Sequence, residues 1–180
     1  MNIIKYIMIF CLCSFVLYAD QNDKRLDALF HLLSHSDDID EINEATTTIW
    51  KIWLEINDPL IENDFKRGLN SMKNSQLKES IEIFSKVIEN KPNFAEAWNK
   101  RATVYYLIGD FDSSVMDIKQ TLKLEPRHFG ALDGLGLIFI HLQQFENAIE
   151  VYDQILKIFP NNPSTLQKRE HLMNFISKST

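Results

Sequence analysis

Cysteine is nearly missing from this 180-residue sequence, and the two present, Cys11 and Cys13, both fall within its first nineteen residues. Beyond them, disulfides, thiolate metal sites and cysteine nucleophiles are excluded together. Glycine and proline are scarce as well, at five each, too few for a turn-rich β fold. Acidic residues outnumber basic ones by 25 to 19, for a formal charge of −6. That balance provides no basic footprint for nucleic acid and makes phosphate or lipid head groups poor partners. Long hydrophobic runs are limited to one, from Tyr6 to Ala19, shorter than the ~20 residues a membrane-crossing helix needs. What is present is ordinary globular material, with 45% apolar against 24% charged residues, enough for one domain with a core.

The opening stretch, MNIIKYIMIFCLCSFVLYA, has a lysine at its fifth residue, then the apolar run, then polar sequence from Asp20. This is the anatomy of a secretory signal peptide over residues 1–19. Ala19 suits the residue before a cut, whereas Leu17, third from the cut, is bulkier than usual. An uncleaved N-terminal anchor is therefore the alternative. Phe10 and Leu12 precede the cysteines where a lipid-attachment site needs small residues. Cleavage removes Lys5 and leaves a net charge of −7.

Internal repetition organises the chain from residue 61 onwards. Pro92, Pro126 and Pro160 are spaced by 34 residues, and blocks of that length run over 61–94, 95–128 and 129–162. The eighth position of each block is small (Gly68, Ala102, Gly136), and so is the twentieth (Ser80, Ser114, Ala148). Bulky residues recur at the seventeenth (Leu77, Phe111, Phe145) and twenty-fourth (Phe84, Ile118, Tyr152). The second and third blocks also carry them at the fourth and eleventh, as Trp98 with Tyr105 and Leu132 with Phe139. Apolar residues three or four apart give each half-block one buried helical stripe. The pattern predicts an antiparallel helix pair per block, crossing where the small residues let the axes approach. Asp110 is the expected N-cap of a second helix, and each closing proline stops the block. One such pair cannot bury its own face, so the blocks must stack.

These residues resemble the tetratricopeptide repeat. Trp98, Ala102, Tyr105, Gly109, Phe111 and Pro126 carry the pattern in the second block. Leu135, Gly136, Phe139, Phe145, Ala148, Tyr152 and Pro160 carry it in the third. Departures are Asp64 and Ser71 in the first block, and Arg67 and Arg101 at the seventh position, where leucine is usual. The stretches WNKRATVYYLIGD and EPRHFGALDGLG are further similar to small exported repeat proteins of alphaproteobacterial type. The resemblance implies an all-α fold, a right-handed solenoid of stacked helix pairs. Residues 20–60 are expected to add an N-terminal helical hairpin that covers the first repeat, from helices over 26–34 and 38–56. Residues 163–180 are expected to add a capping helix with Leu166, Met173 and Phe175 on its apolar side.

In this family the first helix of each repeat lines an inner groove. The positions that carry over are Glu62, Phe65, Leu69, Met72 and Lys73, then Glu96, Asn99, Thr103, Tyr106 and Leu107, then Gly130, Asp133, Leu137, Ile140 and His141. A mostly apolar centre with polar edges suits a peptide or helix of a partner. The competing expectation is that Leu69, Leu137 and Ile140 pack against flanking helices. One subtype grips a C-terminal carboxylate through lysine, asparagine and arginine. Here Phe65, Leu69, Gly130 and Gly134 stand at four of those places and only Asn99 agrees, so the clamp is not expected.

Other chemistry finds little support in the residues. His31 and His35 share a helix face beside Asp37 and Asp38 and could chelate a metal, but no glutamate follows His31 as a zinc-protease motif requires. His128 and His141 have no nucleophile with an evident partner. The glycines of HFGALDGLGLIF fall inside an expected helix rather than between a strand and a helix, so they do not form a phosphate loop. The expectation is a non-catalytic scaffold or adaptor of the bacterial cell envelope, periplasmic, without cofactor or metal, binding another protein or peptide and no nucleic acid. Retention of the first segment would make it an inner-membrane-anchored structural component, and a metal-dependent enzyme is the distant alternative.

Overall fold

The computed structural model describes residues 21–179, so the expected signal segment lies outside the described residues. Among these residues there are nine helices and no strand. They are α1 (Arg25–His35), α2 (Ile39–Leu54), α3 (Pro59–Lys73), α4 (Leu77–Asn90), α5 (Ala95–Ile108), α6 (Phe111–Leu124), α7 (Phe129–His141), α8 (Phe145–Ile158) and α9 (Pro163–Ser179). Helices α3/α4, α5/α6 and α7/α8 form three antiparallel pairs, one in each 34-residue block, and stack into a helical solenoid.

Starts and stops follow local chemistry. Asp38 accepts the amides of Asp40 and Glu41, and Asp58 those of Leu60 and Ile61 ahead of Pro59. Asp110 accepts the Ser113 amide at 3.1 Å. These side chains satisfy amides that have no partner in the first turn of a helix. Between the two helices of each block one residue adopts the left-handed conformation, and it recurs at the same position: Ser75 (φ 60°), Gly109 (φ 81°) and Gln143 (φ 57°). Glycine does so without steric penalty; the other two show that the turn is imposed by the packing of the helices.

The crossings are as close as the small residues suggest. A Cβ built on Gly68 would lie 2.7 Å from the Phe84 ring, and one on Gly136 would lie 2.7 Å from the Tyr152 ring. Ser80 and Ser114 do more than remain small, because their hydroxyls donate to the carbonyls of Gly68 (2.9 Å) and Ala102 (2.8 Å) across the same crossings. Gly136→Leu is therefore expected to lower the unfolding free energy by about 1–3 kcal/mol through overpacking against Tyr152. An unchanged denaturant midpoint would show that the crossing tolerates a side chain.

The N-terminal hairpin corrects one expectation. It does not cover the first repeat but lies along the edge where each block turns into the next, over the third pair. Its polar contacts fall on residues 34 apart. Gln21 Nε2 donates to the Asn93 carbonyl (2.5 Å), Arg127 to Asp27 (2.8 Å), and Asn161 Nδ2 to the Ser36 carbonyl (3.1 Å). Beneath them Leu26, Phe30, Leu33, Ile49 and Trp53 share one apolar core with Phe129, Leu132, Tyr152 and Phe159. The physical reason is aromatic packing: Phe30 of α1 and Trp50 and Trp53 of α2 all meet Phe129 at the start of α7. The first pair closes its own core around Phe65, Phe84 and Phe94. On the other side of the third pair, α9 packs against α8 and buries Leu172 in the same core, with Glu170 standing where the blocks carry a small residue at the crossing.

Candidate functional site

The groove forms between α5 and α7. Its cavity measures about 210 Å³ and is lined by Asn99, Ala102, Thr103 and Tyr106 of α5, Ser114 and Ile118 of α6, and Gly130, Asp133, Gly134 and Leu137 of α7. Six of the fifteen groove positions carried over from the family, Asn99, Thr103, Tyr106, Gly130, Asp133 and Leu137, thus line one cavity. Gly134 opens it inwards: with no side chain there, the nearest atom to an added Cβ is Ile118 Cδ1 at 3.6 Å. Glycine in a helix interior costs ~1 kcal/mol relative to alanine, and at Gly134 it leaves the backbone bare at the cavity wall.

The first block contributes differently from expectation. Phe65 is buried between Phe84 and Phe94, with ring centroids 5.5 and 5.0 Å away, and is core rather than groove. Its ring inserts under the start of α5, where it removes more apolar area from water than on an open face. Leu69 and Met72 pack half-buried against the same core. Ile140 packs half-buried against the core of the third pair, and His141 lies against Phe111 at 4.5 Å. None of Phe65, Leu69, Met72 and Ile140 lines the cavity.

One end of the groove is closed by α2, which the sequence pattern did not reveal. Trp50 stands edge-on to Phe129 (5.4 Å) and His128 (5.7 Å), with Lys100 Nζ 5.4 Å over its ring. A Cβ on Gly130 would lie 2.5 Å from the Trp50 ring, so Gly130 has a packing reason distinct from that of Gly134. A smaller cavity of about 160 Å³, lined by Trp50, Phe129, Gly130, Asp133, Asn162, Ser164 and Thr165, continues from the first.

Beneath Trp50 and Trp53 is a buried polar cluster. Glu96 is buried, its Oε1 2.7 Å from Lys100 Nζ and its Oε2 2.8 Å from His128 Nε2, and Asn99 Nδ2 donates to Oε2 at 2.9 Å. His128 Nδ1 accepts the Ala131 amide (3.1 Å), so Nε2 carries the hydrogen that Glu96 accepts. Burial alone would raise the Glu96 pKa; the charge of Lys100 and the His128 hydrogen bond outweigh it and hold it at about 2. Its folded pKa lies below the ordinary 4.5, so the cluster stabilises fully above that value and loses its contribution as pH falls towards 2. Denaturant midpoints followed through this window should decline with acidity, and the slope should flatten in Glu96→Gln. An equal slope in both proteins would count against the account. A glutamate at position two and a histidine at position thirty-four, where the first block has Phe94, is the signal that could have found the pair.

Arg101, unexplained by the repeat pattern, grips Asp117 of α6 through Nε (2.7 Å) and Nη2 (2.9 Å) and donates from Nη1 to Ser85 of α4 (2.8 Å). Arg67 instead points outwards to Asp64 (2.8 Å). His31 and His35 stack at 4.2 Å, with His35 Nδ1 engaged by the Ser34 hydroxyl and the His31 carbonyl. Among the described residues no group of three or more histidine, cysteine or carboxylate side chains could hold a metal ion. No helix of the described residues is long and apolar enough to cross a membrane.

Stacked helix pairs with small residues at each crossing and an open inner groove define a helical-repeat fold. A family model described as tetratricopeptide repeat matches residues 109–163. The chain is similar to a TPR repeat-containing protein of Rhizobium etli, 28% identical over 137 residues that cover 76% of this chain and 67% of that protein. It is also similar to the small glutamine-rich tetratricopeptide repeat-containing protein 2 of Mycosarcoma maydis, 30% identical over 53% of this chain but only 27% of that protein. Among solved structures, the first TPR of Spaghetti (RPAP3), bound to an HSP90 peptide, superposes with a TM-score of 0.61 at 20% identity, covering 65% of this chain and 93% of that one. The TPR2B domain of yeast Sti1 does so at 0.59 and 17% identity, covering 67% of this chain and 98% of that one. Over residues 109–163 the chain matches the tetratricopeptide repeat, and the fold of the described residues is that of tetratricopeptide-repeat domains.

Proposed function

We propose that the chain is an exported adaptor of the bacterial cell envelope that holds a segment of a partner protein in the groove between α5 and α7. The cavity under Gly134 carries this reading. At about 210 Å³ it is smaller than the ~300–1,000 Å³ usual for small-molecule and cofactor sites, and it suits one anchoring side chain of a longer segment. Trp50 closes one end, so the segment runs from the cavity towards Tyr106 and Leu107. Similar folds occupied by peptides of HSP90 and HSP70 support a peptide as the occupant, while the residues here do not reproduce a carboxylate clamp.

A photo-crosslinking residue at exposed Thr103, in cells expressing the full sequence, tests this against one at Met116 on the exposed side of α6. A discrete adduct from Thr103, absent from Met116 and lost in Tyr106→Ala with Leu137→Ala, is expected. Equal adducts from both positions, or none from Thr103, would sink the groove reading. Loss of helicity in the double variant would show the two side chains to be core. Export rests on the apolar run before Asp20 and the cysteine-free remainder. A mature N-terminus at Asp20 in the periplasmic fraction supports it, whereas an intact Met1 in membranes would replace it with the anchored form.

A further inference from the structure

The polar rim of the cavity has most of its donors committed inwards. Asn99 Nδ2 donates to Glu96, the Thr103 hydroxyl to the Asn99 carbonyl (3.0 Å), and the Ser114 hydroxyl to the Ala102 carbonyl (2.8 Å). What these groups still offer is mainly oxygen: the Asn99 amide oxygen and the lone pairs of Thr103 and Ser114. Asp133 adds a carboxylate at the same rim. Below them the wall is apolar, made by Ala102, Ile118 and Leu137 with the gap at Gly134. The cations nearby are both engaged. Lys100 is held by Glu96 (2.7 Å), and Lys168 reaches from α9 to Asp133 (2.5 Å) as a partly exposed pair. The negative charge of the whole chain acts in the same direction.

An apolar well under an acceptor-rich rim with one carboxylate complements a side chain with a methylene stem and a cationic donor head. We propose that this cavity is the anchor site for an arginine or lysine of the bound segment, with its stem against Ala102, Ile118 and Leu137 and its head at Asp133 and the Asn99 amide oxygen. The assignment rests on the groove reading above and deepens it: the occupant is basic, opposite in charge to the Glu-Glu-Val-Asp ends of the peptides in similar folds. Lys168 is the internal competitor that an incoming cation displaces from Asp133.

The test uses the nitrogen-15-labelled protein recovered from cells expressing the full sequence. Capped peptides acetyl-Gly-Ser-X-Ser-Gly-amide carry arginine, lysine, norleucine or glutamate at X. Arginine and lysine peptides should shift the Gly130 and Gly134 amides saturably, with norleucine weaker by about tenfold and glutamate silent. Asp133→Asn should weaken the arginine peptide by about tenfold while leaving the norleucine peptide and the melting temperature unchanged. Lys168→Ala should tighten it. Norleucine binding as well as arginine, or an arginine affinity indifferent to Asp133→Asn, would overturn the assignment while leaving the groove reading standing. Silence of both glycines towards every peptide would also overturn it, and the Thr103 crosslink then judges the groove reading independently.

Discussion

Replacing Arg101 with leucine is expected to lower the unfolding free energy by about 3–5 kcal/mol, even though leucine is the residue usual at that position of the repeat. The reason is Asp117. Its side chain is 5% exposed and depends on the guanidinium for two hydrogen bonds, while Arg101 itself is only 16% exposed. Truncating the cation leaves a buried carboxylate with no counter-charge, and that penalty exceeds what a better-packed apolar residue returns. The guanidinium also lies 5.0 Å over the Trp98 ring and bonds Ser85, so its loss loosens α4 and α5 as well.

The chain carries its own control. In the third block the equivalent pair is Leu135 with Val151, apolar on both sides; in the first it is Arg67 with Ile83, and there the arginine turns to solvent and Asp64. Arg101→Leu with Asp117→Val copies the solution of the third block, and apolar replacement of a buried ion pair is often neutral or stabilising. The double variant should therefore recover most of what the single one loses, as read from denaturant midpoints with unchanged slopes. If Arg101→Leu alone is as stable as the parent, the ion pair holds nothing together.

How much of the fold and site is legible in the sequence depends on the range over which each constraint acts. The crossings at Gly68, Ala102 and Gly136 are set inside one helix pair, so a 34-residue spacing reveals them. The cavity is half visible for the same reason: Asn99, Thr103, Tyr106, Asp133 and Leu137 occupy equivalent turns of successive first helices. Phe65 shares that register but follows its ring's burial instead, because the first pair has no preceding pair to supply its core. The placement of α1 and α2 is not legible. Its polar contacts fall on Asn93, Arg127 and Asn161, which read as ordinary turn residues until partners as far as 125 residues away are placed against them. His128 likewise reads as a lone histidine, since its carboxylate sits 32 residues upstream on another helix.

Trp53→Ala tests whether that N-terminal hairpin is an integral part of the scaffold. Trp53 is 2% exposed, stacked on His128 at 4.0 Å and 9°, tilted against Phe129 at 5.1 Å and Phe30 at 6.0 Å. Removing a buried tryptophan ring usually costs about 3–5 kcal/mol. Here the cost has a specific location. The hairpin reaches the third pair through this ring and its apolar neighbours, while the exposed contacts of Asp27 and Ser36 contribute little. We expect hydrogen exchange to accelerate first over α1 and α2, and proteases to cut between Leu54 and Pro59, before the three repeats unfold. Trp50 leaves its place against Gly130 in the same event, so the groove would open at its closed end. Uniform acceleration across all nine helices would instead show that the hairpin and repeats form one cooperative unit, and that Trp50 cannot withdraw from the groove without global unfolding.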